Sequence, residues 1–310
     1  MKWLIIAPSV QDKKLKLVED CLELDHRTSP YEIFIHNTLS KEDLFDSIRH
    51  VGMATHCIIV DSVCMSKNPD YICILGVLFG RNIPTFIYTG EPYEKRYEDL
   101  DSDRYGSFKV FSNLEELILE LDDNFDEYER RDSQHQALVQ LFTRGLPFTS
   151  DCFATYLAKD DTQTCQLFYD AGMLLNACTS DGVPLLSVAT RNDCLSKVKW
   201  LLDNGADINA ISADRGYSAV MDAVWRKNYE ITKFLVDKGA DLSFISSDGQ
   251  PILVLAVGNG NVKIVELLLS SGADPDIKDS MGMSARGYAT LFKKQEMMSL
   301  MAKYPKKDDG

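Results

Sequence analysis

The residues of this 310-residue chain that could perform chemistry lie near the ends of apolar runs in its first third. Ser9 follows one such run, and Asp61 and Ser62 follow another. If the runs are parallel strands, their carboxyl ends meet at one edge of a sheet, where open α/β folds bind ligands. We therefore treat Asp61, Asp70 and Glu91 as candidate catalytic acids, and Ser9, Asp61 and Ser62 as candidate residues of a ligand crevice.

The elements that must position these residues are short strands alternating with helices. Apolar runs bounded by turn residues predict five strands, at 3–7, 32–36, 56–60, 83–88 and 108–111. Helical patterns cover 11–24, 40–51, about 69–79, and a segment that begins at 112. The motifs at Ser40 and Ser112 are typical of helix N-termini. This alternation predicts an α/β domain with a five-stranded parallel, doubly wound sheet, for which the strand order 2-1-3-4-5 is common.

Asp61 resembles the phospho-acceptor aspartate of response-regulator receiver domains, because it closes the third predicted strand. That chemistry also needs an acidic pair that binds magnesium just after the first strand. The chain has Ala7-Pro8-Ser9 at this place, and Lys109 lies inside a strand rather than at its end. The sequence therefore disfavours phosphotransfer.

Part of the first domain resembles the core of Toll/interleukin-receptor-like and nucleoside 2-deoxyribosyltransferase-like domains, which are of flavodoxin type. The resemblance rests on the runs IIVDS at 58–62, SKNPDY at 66–71 and LGVLFGRNIP at 75–84. In those families a helix glutamate stabilises or attacks the ribosyl cation during N-glycosidic cleavage. Aligning Gly76 with the family glycine places Ile74 at the glutamate position, and residues 71–90 contain no Asp or Glu.

The resemblance therefore implies an α/β domain, predicted to cover 1–125, that has lost its catalysis. The alternative is an N-glycosidase or NAD-consuming enzyme that uses Asp61, Asp70 or Glu91 by a different mechanism. A nucleotide sensor is a further alternative, although Ala7-Pro8-Ser9-Val10 is not a glycine-rich phosphate loop. A structural domain that mediates self-association also remains open. No cofactor is predicted.

The second half of the chain is an internal repeat. Gly172, Gly205, Gly239 and Gly272 are separated by 33, 34 and 33 residues. A second marker keeps the same phase, since a Gly-x-Pro or Gly-x-Ser motif leads to Ala189, Ala223, Ala256 and Ala289. Such a period indicates stacked units that bury a continuous core.

Residues 147–305 resemble the ankyrin repeat family, whose unit is a hairpin turn followed by two antiparallel helices. The resemblance implies about five units, including degenerate terminal ones, in a helical solenoid. It also implies that the glycines end the outer helices and that the alanines allow close helix packing. One unit has an extra residue, which we place in the hairpin at 212–215 because the spacing between its marker glycines is one residue longer there.

Ankyrin arrays bind proteins, so the resemblance implies a protein partner in the groove. Trp225 falls on the inner helix face that lines this groove, where Arg191 is the equivalent residue of the preceding unit. An exposed tryptophan is a typical interface anchor, although Trp225 could instead pack against Tyr217. The candidate contact residues are therefore Trp225, Arg191, Arg226, Tyr217, Arg215 and Phe244.

Composition excludes several classes of function. The chain is 45% apolar and 26% charged, as expected for two folded domains, and its net charge is −14. Residues 1–146 hold 16 basic and 26 acidic residues and residues 147–310 hold 17 and 21, so neither half suits nucleic acid or an anionic membrane. No run is long enough for a signal peptide or membrane span.

The cysteines and histidines predict no metal site, because the sequence has neither a C-x-x-C nor an H-E-x-x-H motif. Reduced thiols and the missing signal peptide favour a cytoplasmic protein. The predicted connector between the domains, residues 126–146, continues an acidic helix that has eight carboxylates and no Lys or Arg over 115–129. Residues 306–310 form a polar tail. The leading hypothesis is an interaction adaptor or scaffold with a catalytically silent α/β domain.

Overall fold

The computed structural model of the chain describes residues 2–7, 13–24, 33–36, 51, 53–60, 69–89 and 108–304. The chain forms two compact units, residues 1–133 and 134–310. The boundary falls within the segment that the sequence predicts as a connector. Most of the predicted helix 40–51 lies outside the described residues.

The first unit is an α/β unit, as the sequence predicts. Its elements are β1 (Trp3–Ile6), α1 (Lys13–Leu24), β2 (Ile33–His36), β3 (His56–Val60), α2 (Pro69–Gly80), β4 (Thr85–Tyr88), β5 (Phe108–Phe111) and the start of α3 (Leu114–Thr143). Four parallel pairings join the strands in the order β2-β1-β3-β4-β5. Parallel strands of this kind are buried on both faces, which is why their sequences are almost continuously apolar.

Helices pack on both faces of the sheet, because successive side chains of a strand point to opposite sides. One face buries Trp3, Ile5, Ile58, Val60, Phe86 and Tyr88 against Leu15, Val18 and Leu22 of α1 and Leu117, Leu121, Phe125 and Tyr128 of α3. The other face buries Leu4, Ile6, Cys57, Ile59, Ile87, Phe108 and Val110 against Tyr71, Ile74 and Leu78 of α2. Each face of the sheet therefore has its own apolar core.

The start of α3 differs from the prediction by one residue. The sequence predicts that the helix begins at Ser112, but its first helical residue is Leu114, which Asn113 precedes. The Asn113 side-chain oxygen accepts a hydrogen bond from the Glu115 N–H at 2.9 Å. A capping side chain must reach the N–H groups of the first turn, and Asn113 stands at the position from which this is possible.

The second unit consists of helix pairs joined by hairpins. After the last turns of α3, its helices are α4 (Ser150–Ala158), α5 (Thr162–Asp170), α6 (Leu185–Arg191), α7 (Leu195–Asp203), α8 (Ala219–Trp225), α9 (Tyr229–Asp237), α10 (Ile252–Asn259), α11 (Val262–Ser270), α12 (Ala285–Leu291) and α13 (Gln295–Ala302). A single apolar core runs through all of them. The predicted helical solenoid is confirmed.

The two repeat markers have the expected structural roles. The four glycines that follow the outer helices, at 172, 205, 239 and 272, have φ between 86° and 94°, a left-handed conformation that glycine adopts without steric cost. The alanines at 189, 223, 256 and 289 are at most 1% exposed. Both predictions are confirmed.

The hairpins between helix pairs stack on one another. The Ala213 N–H donates to the Gly182 carbonyl at 2.9 Å, and the Ser280 N–H donates to the Gly249 carbonyl at 3.2 Å. At Gly216 an added Cβ would lie 2.6 Å from the Ser247 backbone nitrogen. Only glycine fits at this position, which also has a φ of +62°.

The extra residue of one unit lies where the sequence places it. Bridges close three hairpins between residues six apart, from Cys178 to Pro184, from Ile245 to Pro251 and from Lys278 to Ser284. The remaining bridge joins Ile211 to Ser218, seven residues apart. This hairpin is therefore longer by one residue, and that residue belongs to the tip that contains Asp214 and Arg215.

Candidate functional site

A cleft of about 430 Å³ opens in the second unit between two neighbouring hairpins. It is lined by Asp214, Arg215, Tyr217, Trp225, Ser247 and Asp248. The volume lies within the range of about 300–1,000 Å³ that is typical of small-ligand pockets. The lining combines two aromatic rings with charged and hydroxyl groups, so the cleft is suited to recognition of a polar side chain.

Trp225 supplies the main apolar surface of the cleft. It is the last residue of α8, whose other six residues are buried, and it is 49% exposed. Tyr217 lines the same cleft but is only 6% exposed, and its hydroxyl donates to Gln250 Oε1 at 3.3 Å. Trp225 therefore presents a free part of its ring to solvent while Tyr217 forms the floor.

Arg191 holds the longer hairpin against α8. Its Nη1 and Nη2 donate to the two carboxylate oxygens of Asp214 at 2.7 and 3.0 Å, and its Nε donates to Asp222 Oδ1 at 3.0 Å. Nη2 also donates to Ser212 Oγ at 3.0 Å. Bidentate contacts of this kind fix geometry as well as adding energy. Arg191 thus positions Asp214 at the edge of the cleft.

The two aspartates bound to Arg191 have opposite pKa shifts. The hydrogen bonds from Arg191 hold the pKa of Asp214 well below its usual range. Burial raises the pKa of Asp222, despite the opposing effect of Arg191, because the residue is inaccessible to solvent. Arg191 therefore favours the ionised form of both carboxylates, whereas burial opposes ionisation of Asp222.

The shift at Asp214 predicts a pH-dependent contribution to stability. A carboxyl whose pKa is lower in the folded state binds fewer protons there, so its stabilisation is present above the unfolded pKa of about 3.9 and is lost as the pH falls below it. We expect Asp214→Asn to lower the free energy of unfolding at pH 6, and this deficit should shrink at pH 2.5. Urea titrations at both pH values measure the deficit. An equal deficit at both would contradict the assignment.

The remaining contact candidates differ in their surroundings. Arg215 lines the cleft, is half exposed, and has its Nε 3.9 Å from Asp214 Oδ2. Arg226 forms an ion pair with Asp193, which also accepts from Asn228 Nδ2 at 3.0 Å. Phe244 is half-buried against the apolar core and does not line the cleft. Of the six candidates, Trp225, Tyr217 and Arg215 therefore meet at one place.

Asp214, Asp222, Ser247 and Asp248 are not predicted as functional residues from the sequence. A signal was present for Asp222, since a carboxylate inside the apolar stretch AVMDAVW requires a cation nearby. Asp248 immediately precedes the glycine of a Gly-x-Pro motif, as Asp181 does in an earlier unit. The repeat pattern therefore does not separate Asp248 from its equivalent in another hairpin.

The catalytic and crevice candidates of the first unit all have their side chains outside the part of the chain that the structure describes. Ser9, Asp61, Ser62 and Glu91 lie outside the described residues, and Asp70 belongs to α2 without a described side chain. No group of three or more His, Cys, Asp or Glu side chains that could hold a metal ion occurs among the described residues. Within the same residues, no helix is long and apolar enough to cross a membrane.

Comparison with known proteins agrees with the repeat architecture. The family described as "Ankyrin repeats (3 copies)" matches residues 150–245 and 220–309, together more than half of the 310 residues. The chain belongs to the ankyrin repeat family. The ankyrin repeats identified from sequence are thereby confirmed, and they support a protein-interaction role.

Two relatives of the ankyrin repeat protein illustrate the extent of similarity. A putative ankyrin repeat-containing protein of Treponema pallidum (strain Nichols) is 29% identical over 254 residues, which cover 80% of this chain and 82% of the relative. The human B-cell lymphoma 3 protein is 36% identical over 105 residues, covering 34% of this chain and 23% of that protein. The similarity to the bacterial protein thus extends beyond the repeats, whereas that to the human protein covers about a third of the chain.

Proposed function

We propose that this protein is a cytoplasmic interaction adaptor or scaffold whose ankyrin array binds a protein partner at the cleft around Trp225. The observation that carries the proposal is the half-exposed indole at a place where the rest of α8 is buried. Tryptophan is enriched among the few residues that dominate interface energy, because it removes a large apolar area from water on binding. The neighbouring charged groups would fix the orientation of the partner.

The structure suggests different roles for the six candidate residues. Trp225 and Arg215 are exposed and line the cleft, so they are the direct contacts. Arg191 acts by holding Asp214 in place. Tyr217 forms the floor of the cleft. Arg226 and Phe244 are engaged within the array, and their contribution would be structural.

We expect Trp225→Ala to weaken capture of the partner by about 30-fold, the equivalent of about 2 kcal/mol for an interface anchor. The full chain would be immobilised, exposed to a lysate of the source organism, and the retained proteins quantified by mass spectrometry. Helicity should be unchanged, as measured by circular dichroism, because the ring is half exposed.

Phe142→Ala is the matched control, since Phe142 is an aromatic residue of α3 that is 68% exposed and does not line the cleft. It should retain the same proteins as the unmodified chain. If the two variants retain the same proteins in equal amounts, Trp225 is not the anchor and the proposed site is wrong.

We further propose that the α/β unit, as a doubly wound domain of flavodoxin type, is catalytically silent. Ile74, at the position where the resembling enzymes have their glutamate, is 1% exposed and packs in the core between α2 and the sheet. A carboxylate at this position would not face a ligand. His56 and Cys57 of β3 are also buried, and burial lowers the pKa of His56 to about 4 and raises the pKa of the Cys57 thiol.

Silence of this unit predicts that the full chain releases no free base from NAD or deoxynucleosides over hours, as followed by proton NMR. Release that is abolished by changing Asp61, Asp70 or Glu91 would contradict the proposal and would locate the catalytic acid.

A further inference from the structure

The charges around the cleft do not cancel. Asp214, Arg215 and Asp248 line the cleft, and Arg191 and Asp222 join this group through ion pairs of Arg191 with Asp214 and Asp222. Arg191 is bound to both Asp214 and Asp222, and the Arg215 Nε lies 3.9 Å from Asp214. The cluster therefore has a formal charge of −1, and the whole chain has a net charge of −14. The charge of the cluster attracts a cation at close range, and the net charge of the chain attracts it at longer range.

Asp248 is the carboxylate that remains available. It is exposed, it lines the cleft, and it accepts a hydrogen bond from Ser246 Oγ. Within the described part of the chain, no Lys or Arg nitrogen lies within 4.0 Å of its oxygens, unlike Asp214 and Asp222. Asp248 can therefore pair with a cation from another molecule without breaking an existing ion pair.

Trp225 adds an independent preference for the same kind of group. The face of an indole ring is negative and attracts a guanidinium or ammonium group within about 6 Å of its centroid. Trp225 and Asp248 line one cleft whose volume of about 430 Å³ accommodates a long side chain. On the side of Asp248 an anion would be repelled by the carboxylate, and a purely apolar side chain would leave that carboxylate unpaired.

We propose that the cleft recognises a cationic side chain, arginine or lysine, of the protein partner, with its charge between the Trp225 ring and the Asp248 carboxylate. This inference rests on the proposed function and specifies the chemistry of the partner. Arg215 lies beside Asp214 and repels a second cation, so the bound cation would occupy the part of the cleft near Asp248.

The inference can be tested on the full chain with short blocked peptides of Gly and Ser that contain one central residue: arginine, citrulline or glutamate. Citrulline has the shape of arginine without its charge. The readout is the indole N–H signal of Trp225 in a ¹⁵N-labelled sample, identified by its absence from Trp225→Ala among the three tryptophan signals of the chain. We expect a saturable shift with the arginine peptide and at least about fivefold weaker binding of the citrulline peptide.

Asp248→Asn should weaken binding of the arginine peptide by about threefold or more, whereas Asp181→Asn, at the same place in another hairpin but outside the cleft, should not. Equal binding of arginine and citrulline, stronger binding of glutamate, or no saturable shift would overturn the inference. Partner capture that still depends on Trp225 would then leave the interaction role intact. Conversely, arginine binding without Trp225-dependent capture would contradict the proposed function alone.

Discussion

Arg191→Leu is expected to lower the free energy of unfolding of the ankyrin unit by about 3 kcal/mol or more, because it leaves a buried carboxylate without its cation. The Asp222 side chain is 1% exposed, and the Arg191 side chain that pairs with it is 19% exposed. Loss of the guanidinium also releases Asp214 from the hairpin contact. Urea unfolding followed by circular dichroism measures the change.

Two further variants make this prediction specific. In the double variant Arg191→Leu and Asp222→Val, most of the lost stability should return, since replacing both partners of a buried pair is often neutral. Arg226→Leu breaks an ion pair whose side chains are 47% and 38% exposed, and it should cost at most about 1 kcal/mol. A double variant no more stable than Arg191→Leu would show that the buried pair is not the cause.

Phe168→Ala is expected to cost about 3–5 kcal/mol, as do other truncations of a fully buried aromatic ring. Phe168 is inaccessible to solvent, and its ring stacks on Phe153 and Phe148 at centroid distances of 5.3 and 6.2 Å. The loss should be confined to the first helix pair, because repeat units contact chiefly their neighbours. Hydrogen exchange should therefore quicken in 150–170 and remain slow in 252–269.

Leu174→Ala is the control for Phe168→Ala, because Leu174 is 75% exposed and its truncation should change stability by no more than about 0.5 kcal/mol. Uniformly faster exchange along the whole array in Phe168→Ala would contradict unit-by-unit stability.

The repeat architecture was predictable because its signals are local. A glycine at φ near +90° and an alanine at a helix contact are each required by their own backbone or nearest packing partner, so they recur at a fixed period. The extra residue at 212–215 could be located for the same reason. The strands of the first unit were predictable from their apolar runs. The cap of α3 was not, because Ser112 and Asn113 differ by only one residue of helix register.

The cleft was only partly predictable. The place of Trp225 in the repeat predicts its position on the groove. The ion pairs of Arg191 are not predictable in this way, because Asp214 and Asp222 lie 23 and 31 residues from it along the chain. Side-chain geometry, rather than the repeat period, decides which carboxylates form ion pairs within the array. Asp214 and Asp222 do so, whereas Asp248 remains available to a partner. Charge counts along the sequence do not contain this information.

The most direct test of the proposed function is hydrogen–deuterium exchange of the full chain with and without a purified partner obtained by the Trp225-dependent capture. The two hairpins beside the cleft, at 211–218 and 245–251, should exchange more slowly in the complex, together with the end of α8. Protection confined to residues 3–128, with none in the hairpins, would place the partner on the α/β unit and contradict the account.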